Sequence, residues 1–200
     1  TRYWRDWSSD VCSSDLVAAI SSFAIMVSAL IGGQFIVAGI ASLMFGSTLG
    51  FLVWNVHPAR IYLGDAGALF IGCILSILLI RLRPVTASVQ ISWFVALFIM
   101  AIPIMDTSVA VLPRIQSKVS PFQGGTEHLS HRLINKGFSR RHAALSLWIL
   151  SSFFSLIAVC LQYANFRQGT FLIIFGTVIW AGFSKFFYGL QYPGKEKGIG

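Results

Sequence analysis

Six long apolar runs constrain the fold of this chain more than any other feature. They span Leu16–Ile31, Phe35–Trp54, Ala66–Ile80, Ile91–Leu112, Ala143–Ala164 and Thr170–Leu190. A helix needs about 20 apolar residues to cross a bilayer, so the first and third runs are short and the other four are long enough. Helices satisfy their backbone polar groups internally, as lipid requires. The runs therefore predict an all-α, polytopic integral membrane protein with about six transmembrane helices.

Composition agrees with a chain that has a lipid bilayer as its solvent. Hydrophobic residues make up 56% of the chain and charged residues only 11%, whereas an average soluble domain has about 25% charged residues. The net charge of +8 would suggest nucleic acid in a soluble protein. No aromatic-and-basic recognition motif accompanies that charge, so we expect no nucleic-acid partner. The three cysteines have no paired spacing that would indicate disulfides or a zinc site.

Basic residues between the runs predict the orientation in the membrane. The connection after the fourth run carries six of them: Arg114, Lys118, Arg132, Lys136, Arg140 and Arg141. An excess of Lys and Arg marks the cytoplasmic side. Counting spans from there also places 55–65 and the C-terminal tail in the cytoplasm. Arg81 and Arg83 fall outside in this arrangement and oppose it, but they are outnumbered.

The chain divides into three segments on composition. Residues 1–15 hold three of the seven acidic residues and many serines, and they resemble the translation of a sequencing adaptor joined to a gene fragment. We therefore expect 1–15 to be a non-native or disordered leader. Residues 16–190 form one transmembrane domain, in which glycines such as Gly39, Gly46 and Gly50 are expected to let helices approach closely. Residues 191–200 form a cytoplasmic tail.

The first segment that carries chemistry is Asn55-Val-His-Pro-Ala-Arg-Ile-Tyr-Leu-Gly-Asp-Ala-Gly. Asp65 is its only acidic residue, and Gly64 and Gly67 flank it. Glycines there allow close backbone approach and unusual dihedral angles. A carboxylate at the cytoplasmic membrane edge suits a magnesium ion that also binds substrate phosphates. The alternative is that Asp65 only caps the helix that follows it.

The second segment contains His128-Leu-Ser-His131-Arg132-Leu. On a helix, positions i, i+3 and i+4 share one face, so His128, His131 and Arg132 would lie together. Two imidazoles and a guanidinium can hold anionic phosphate oxygens. The alternative is a solvated basic loop. Between the two segments, Asp106 lies at the end of a span, where a charge needs a partner, and Arg114 is the partner we predict.

Together these segments resemble the bacterial polyprenyl-phosphate N-acetylhexosamine-1-phosphate transferases of glycosyltransferase family 4. The family pattern runs Asn-x-x-Pro-Ala, an aromatic residue and Gly-Asp-x-Gly-Ser, then Pro-x-x-Asp and His-x-x-His-Arg-Leu. Ala68 stands where the family has serine, and the family's aspartate-rich motifs would precede Leu16. The matching residues are Asn55, Pro58, Ala59, Tyr62, Gly64, Asp65, Gly67, Pro103, Asp106, Thr107, Arg114, His128, His131, Arg132 and Leu133.

The resemblance implies an enzyme of the bacterial inner membrane, in which undecaprenyl phosphate attacks a UDP-amino-sugar at a cytoplasmic site. In this reading Asp65 is a catalytic residue that binds Mg²⁺, and His128, His131 and Arg132 are catalytic residues that hold phosphate oxygens. Asn55 and Tyr62 bind the substrate, although Tyr62 could equally be an interface anchor. A second copy of the chain, in a homodimer, is a further partner that this resemblance allows.

Two alternatives to a GlcNAc-1-phosphate transferase remain. One is the phospho-N-acetylmuramoyl-pentapeptide transferase branch, whose pattern has consecutive histidines where this chain has His-Leu-Ser-His. The other is a fragment of a non-enzymatic transporter. A transporter would carry ionisable residues at mid-membrane depth, and the six runs contain few away from their ends.

Overall fold

The computed structural model is all-helical over the residues it describes, which are 8–55, 61, 63–86, 88–116 and 128–190, with backbone only at 8–14 and 65. This confirms the predicted all-α class. Eight helices follow one another along these residues: α1 Ser8–Ile31, α2 Phe35–Asn55, α3 Gly64–Arg81, α4 Val89–Ile99, α5 Ala101–Gln116, α6 Leu129–Asn135, α7 Arg140–Cys160 and α8 Phe166–Gly189.

The helices reproduce the six predicted apolar runs, with one run broken in two. Among the described residues, α2, α7 and α8 are each long and apolar enough to cross a membrane. Helices α4 and α5 pass the same test only as a pair bent by 68°. The apolar parts of α1 and α3 are shorter, as expected from their runs. The prediction of a multi-span membrane protein is confirmed.

The break between α4 and α5 has a cause in the sequence. Pro103 has no backbone N–H, and its ring clashes with the carbonyl of the residue four positions earlier, Ile99. The helix therefore cannot continue straight through Met100. The Ser21 hydroxyl on α1 donates to the freed Ile99 carbonyl at 3.2 Å. Trp180 Nε1 on α8 donates to the Ala101 carbonyl at 2.9 Å, so neighbouring helices hold both sides of the bend.

Helices α1 and α7 form the centre of the bundle. α1 packs along α2 and α7, and its inward face is rich in alanine and serine, which permits close approach of the helix axes. Phe154 on α7 is fully buried and stacks on Phe98 of α4, with the ring centroids 6.1 Å apart. The apolar core therefore runs from α1 through α7 to the bent pair.

The glycines serve close packing at different positions from those predicted. A Cβ atom added at Gly39, Gly46 or Gly50 would meet nothing within 4 Å, so close approach of the described residues does not explain these three glycines. On α8, by contrast, a Cβ at Gly169 would lie 2.7 Å from Ile91, and one at Gly176 would lie 2.6 Å from Phe98. Glycine therefore lets α8 approach α4.

Two contacts define the ends of the bundle. Asn55, the last residue of α2, contacts Asp15 near the beginning of α1, and we call this the Asn55 end. At the opposite end, the Gln34 side chain donates to the Arg83 carbonyl and accepts from the Arg83 N–H, at 2.7 and 2.9 Å. Because the helices alternate in direction, the beginnings of α3, α6 and α7 and the end of α8 belong to the Asn55 end. Both chemistry-bearing segments therefore lie at one end of the bundle.

Candidate functional site

A carboxylate–amide pair joins α1 to α2 at the Asn55 end. Asn55 Nδ2 donates to Asp15 Oδ2 at 2.5 Å, and both residues are 1% exposed. The Oδ1 atoms of both side chains are buried and have no hydrogen-bond partner among the described residues. Buried polar oxygens are normally paired. Within the described part of the chain, these two oxygens are therefore available to a donor or a cation.

Sequence reasoning missed Asp15 because it counted that residue in the leader. The available signal was a carboxylate directly before an apolar run, since such a charge needs a partner. Helix α1 begins at Ser8 and crosses the predicted boundary at Leu16 without a break. A helix can extend into any adjoining sequence that tolerates it, so the origin of residues 1–15 remains a prediction.

The glycines around Asp65 have the geometry that the sequence suggested. Gly64 has a φ of +67°, a left-handed conformation that favours glycine. A Cβ at Gly67 would lie 2.5 Å from the Leu63 side chain, so that side chain packs directly on the Gly67 backbone. The N-cap position of α3 is Leu63, which makes no side-chain cap, and Asp65 follows two residues later. Asp65 thus lies in the first turn of α3, where both the metal-binding and the helix-capping interpretation place it.

Two predicted site features lie outside the description. Tyr62 is not among the described residues, and the Asp65 side chain is likewise excluded. Their roles in substrate and metal binding remain predictions.

Asp106 joins the span α5 to the short helix α6. His128 Nδ1 lies 2.7 Å from Asp106 Oδ2, and the Leu129 backbone N–H donates to Asp106 Oδ1 at 2.7 Å. An ionised carboxylate only accepts hydrogen bonds, so the His128 nitrogen that faces it carries hydrogen. The His128 side chain is 52% exposed and that of Asp106 31% exposed. The pair therefore lies at an accessible surface.

The predicted partner of Asp106 was wrong. No Asp106–Arg114 ion pair occurs, although both residues are described. Eight residues along a helix rise about 12 Å, which is too far for two side chains on one straight helix to meet easily. The α6 N-terminus occupies both carboxylate oxygens instead. The spacing in sequence misled because the beginning of α6 lies beside the middle of α5.

Arg132 points into the protein. It is 4% exposed, and its guanidinium donates to the carbonyls of Phe187 at 3.0 Å, Leu190 at 3.2 Å and Val109 at 3.1 Å. These carbonyls belong to the end of α8 and to α5. Arg132 therefore ties α6 to both helices and satisfies carbonyls that a helix end leaves without partners.

The three basic side chains do not share one face of a helix as predicted. His128 has extended backbone angles and precedes α6, which begins at Leu129. His131 is half-buried and Arg132 is buried. The described geometry therefore leaves His128 as the most accessible of the three, and its contact with Asp106 sets the direction of its ring.

The described residues contain no group of three His, Cys, Asp or Glu side chains that could hold a metal ion. Part of a suitable donor set is present, because the unpartnered Oδ1 atoms of Asp15 and Asn55 are oxygen ligands of the kind that Mg²⁺ prefers. The Asn55 end thus fits a hard cation chemically, with Asp65 at the same end.

Comparison with known proteins agrees with the motifs. The profile of glycosyl transferase family 4 matches residues 13–83, which contain Asn55 and Asp65. A probable undecaprenyl-phosphate N-acetylglucosaminyl 1-phosphate transferase of Bacillus subtilis is 35% identical over 158 residues, which are 78% of this chain and 43% of that protein. No solved structure matches.

Two further relatives carry the names of two different transferases. The undecaprenyl-phosphate alpha-N-acetylglucosaminyl 1-phosphate transferase of Escherichia coli K12 is 27% identical over 66% of this chain and 37% of its own length. A phospho-N-acetylmuramoyl-pentapeptide-transferase of Desulforamulus reducens is 30% identical over 74% of this chain and 42% of its own length. The chain thus spans about two fifths of the curated relatives it matches. It belongs to glycosyl transferase family 4, as part of such a protein.

Proposed function

We propose that the complete protein transfers N-acetylglucosamine 1-phosphate from UDP-GlcNAc to undecaprenyl phosphate and releases UMP. The observation that carries this proposal is the Bacillus subtilis relative, which bears that transferase name and aligns with 78% of the chain. The described geometry supports it, because the described residues of both motif segments lie at the same end of a helical bundle. The product would begin the synthesis of a cell-envelope polysaccharide.

In the proposed reaction a phosphate oxygen of the lipid attacks the β-phosphorus of the UDP-sugar. The new bond joins the two phosphates, and the bond between the β-phosphorus and the α-phosphate oxygen breaks, so UMP leaves. All reacting oxygens are anionic, and catalysis therefore consists mainly of positioning and charge neutralisation. His128, accessible and oriented by Asp106, would contact a phosphate oxygen. His131 and Tyr62 would assist in substrate binding, and Arg132 would keep α6 in place.

Asp65 would hold the Mg²⁺ ion, and Asn55 offers a further oxygen atom at the same end of the bundle. Such an ion, when bound to a diphosphate, neutralises charge that would repel the attacking phosphate. Asn55 in this proposal keeps α1 and α2 together through its amide and leaves its carbonyl oxygen for the ion or the nucleotide.

The proposed site faces the cytoplasm of the bacterial inner membrane. The Asn55 end contains the basic connection after α5, and basic connections remain cytoplasmic. UDP-sugars are made in the cytoplasm, so the soluble substrate would reach the site without crossing the membrane.

A second candidate is the phospho-N-acetylmuramoyl-pentapeptide transferase reaction, which the 30% identical Desulforamulus reducens relative favours. The two reactions share the lipid acceptor and differ in the sugar nucleotide. The spaced His-Leu-Ser-His sequence at 128–131 resembles the GlcNAc-1-phosphate branch, so we place that substrate first.

The test is an assay of the purified full-length parent protein with undecaprenyl phosphate and Mg²⁺. UDP-GlcNAc should give UMP and a lipid-linked sugar, and omission of the lipid phosphate should abolish UMP release. Turnover with UDP-N-acetylmuramoyl-pentapeptide instead of UDP-GlcNAc would assign the second candidate. If no UDP-amino-sugar gives UMP, the proposed function is wrong.

A further inference from the structure

The contact between Asp106 and His128 limits what the His128 ring can do. Asp106 Oδ2 engages Nδ1 at 2.7 Å, while the side chain as a whole stays 52% exposed. A carboxylate on Nδ1 keeps hydrogen on that nitrogen. The opposite nitrogen, Nε2, is then the one that gains and loses a proton.

The other oxygen of Asp106 is also committed. Leu129 N–H donates to Oδ1 at 2.7 Å, and a backbone N–H can only donate. His128 occupies the N-cap position of α6 and makes no side-chain cap itself. Asp106 thus supplies the missing cap from another helix and fixes both the backbone after His128 and the ring of His128.

We propose that Asp106 is a positioning residue that holds His128 with hydrogen on Nδ1, so that Nε2 exchanges a proton with a phosphate oxygen of the lipid substrate. This inference rests on the proposed function. Imidazole is the side-chain type that exchanges protons near neutral pH, and a phosphate monoester loses its second proton in the same range, so the two groups suit such an exchange. After taking the proton, Nε2–H donates a hydrogen bond to the phosphate it has ionised.

The substitution Asp106→Asn tests the tautomer directly. Leu129 N–H will continue to need an acceptor, so the new amide will turn its oxygen toward Leu129 and its NH₂ group toward His128. An NH₂ group donates, so Nδ1 must then accept, and the hydrogen moves to Nε2. His128 would keep its place but lose the nitrogen that can take a proton. In the Ser-His-Asp hydrolases, substitutions that leave the histidine in the wrong tautomer greatly reduce turnover.

The experiment is solid-state ¹⁵N NMR of histidine-labelled full-length parent protein in lipid bilayers, above the titration range of histidine. A His128→Gln sample identifies the His128 signals. The wild type should carry hydrogen on Nδ1, Asp106→Asn should carry it on Nε2, and Asp106→Glu should retain Nδ1–H. Ser108→Ala is the matched control, because the Ser108 hydroxyl bonds only to the Ile104 carbonyl of its own helix.

Turnover is measured on the same samples after equal thermal stability has been established. We expect Asp106→Asn to lose about 10²-fold, the scale of a lost acid–base group, with partial recovery in Asp106→Glu and no loss in Ser108→Ala. An unchanged tautomer in Asp106→Asn would overturn the positioning role. If the hydrogen of His128 moves to Nε2 in Asp106→Asn but turnover stays at the wild-type level, His128 does not exchange a proton in the proposed reaction. A parent without turnover would refute the proposed function while the NMR result still decided the role of Asp106.

Discussion

A buried guanidinium such as that of Arg132 is stable only where acceptors replace the water it has lost. Three carbonyls from α5 and the end of α8 do so here. Hydrogen bonds to charged groups contribute about 1.5–3 kcal/mol each. Lysine keeps the positive charge, but its single ammonium group cannot reach several separate carbonyls as the planar guanidinium group does.

We therefore expect Arg132→Lys to lower the free energy of unfolding of the parent by about 2 kcal/mol or more, because at least one carbonyl would lose its donor. The measurement is the unfolding midpoint in detergent. Arg141→Lys is the control, since Arg141 is exposed and its replacement should stay within about 0.5 kcal/mol. If Arg132→Lys keeps its stability but loses activity, Arg132 binds phosphate, as the sequence predicted.

Asp65 is the residue on which the proposed metal chemistry depends most. Asp65→Asn in the parent should reduce turnover by about 10²-fold or more, since loss of a charge that holds a metal ion removes several kcal/mol of transition-state stabilisation. The thermal midpoint should stay near wild type. Activity within a few-fold of wild type would mean that Asp65 has only a local structural role at the beginning of α3.

At this scale the sequence identified which residues carry chemistry better than it identified their partners. Residue types and spacing pointed to Asp106, His128 and Arg132. The identity of each contact depended on how the chain folds back after α5, which no local pattern contains. Asp15 was missed because it was counted in the leader, and its partner Asn55, 40 residues away along the chain, could not be assigned from a local pattern.

The apolar runs predicted well which helices exist and roughly where each begins and ends, because hydrophobic length is a local property. The run 91–112 was predicted as one span, and the structure bends it by 68° at Met100. Pro103 was the local signal for that bend. The donors that stabilise it, Ser21 and Trp180, come from other helices and could not be assigned from the sequence.

The order of the helices makes the orientation testable. The connection between α5 and α6 belongs to the Asn55 end, whereas the connection between α3 and α4 belongs to the other end. In a cysteine-free parent, Gly124→Cys should react with a membrane-impermeant thiol reagent only after lysis, because basic connections stay cytoplasmic. Gly124 itself lies outside the described residues.

Arg83→Cys is the matched control for the opposite side. Its backbone groups bond to Gln34 and its side chain is exposed, so the substitution should leave the contact intact. It should react in intact cells. Reaction of Gly124→Cys before lysis, or protection of Arg83→Cys, would invert the topology and place the proposed site outside the cytoplasm.

For the molecule as a whole, length sets the limit on function. The chain aligns with 43% of its Bacillus subtilis relative. Residues that act together in catalysis lose nearly all their effect when one member is missing. The family's aspartate-rich motifs are absent from residues 16–190, while Asp65 and the Asp106–His128 pair are present. We therefore propose that the Asn55 end holds part of a site whose other members lie in the rest of the parent protein.

We expect the 200-residue chain to be inactive by itself. Asp15 places one carboxylate beside Asn55, but the acidic residues of 1–15 do not have the family's spacing, and Mg²⁺ bound by one or two carboxylates depends on substrate phosphates for its remaining ligands. The chain should be expressed in membranes and assayed for lipid-linked sugar beside an empty vector, with the parent as positive control. Asp15→Asn should leave the background unchanged. Clear Mg²⁺-dependent turnover above the empty vector would show that the essential residues lie within this chain, and its loss in Asp15→Asn would identify Asp15 as one of them.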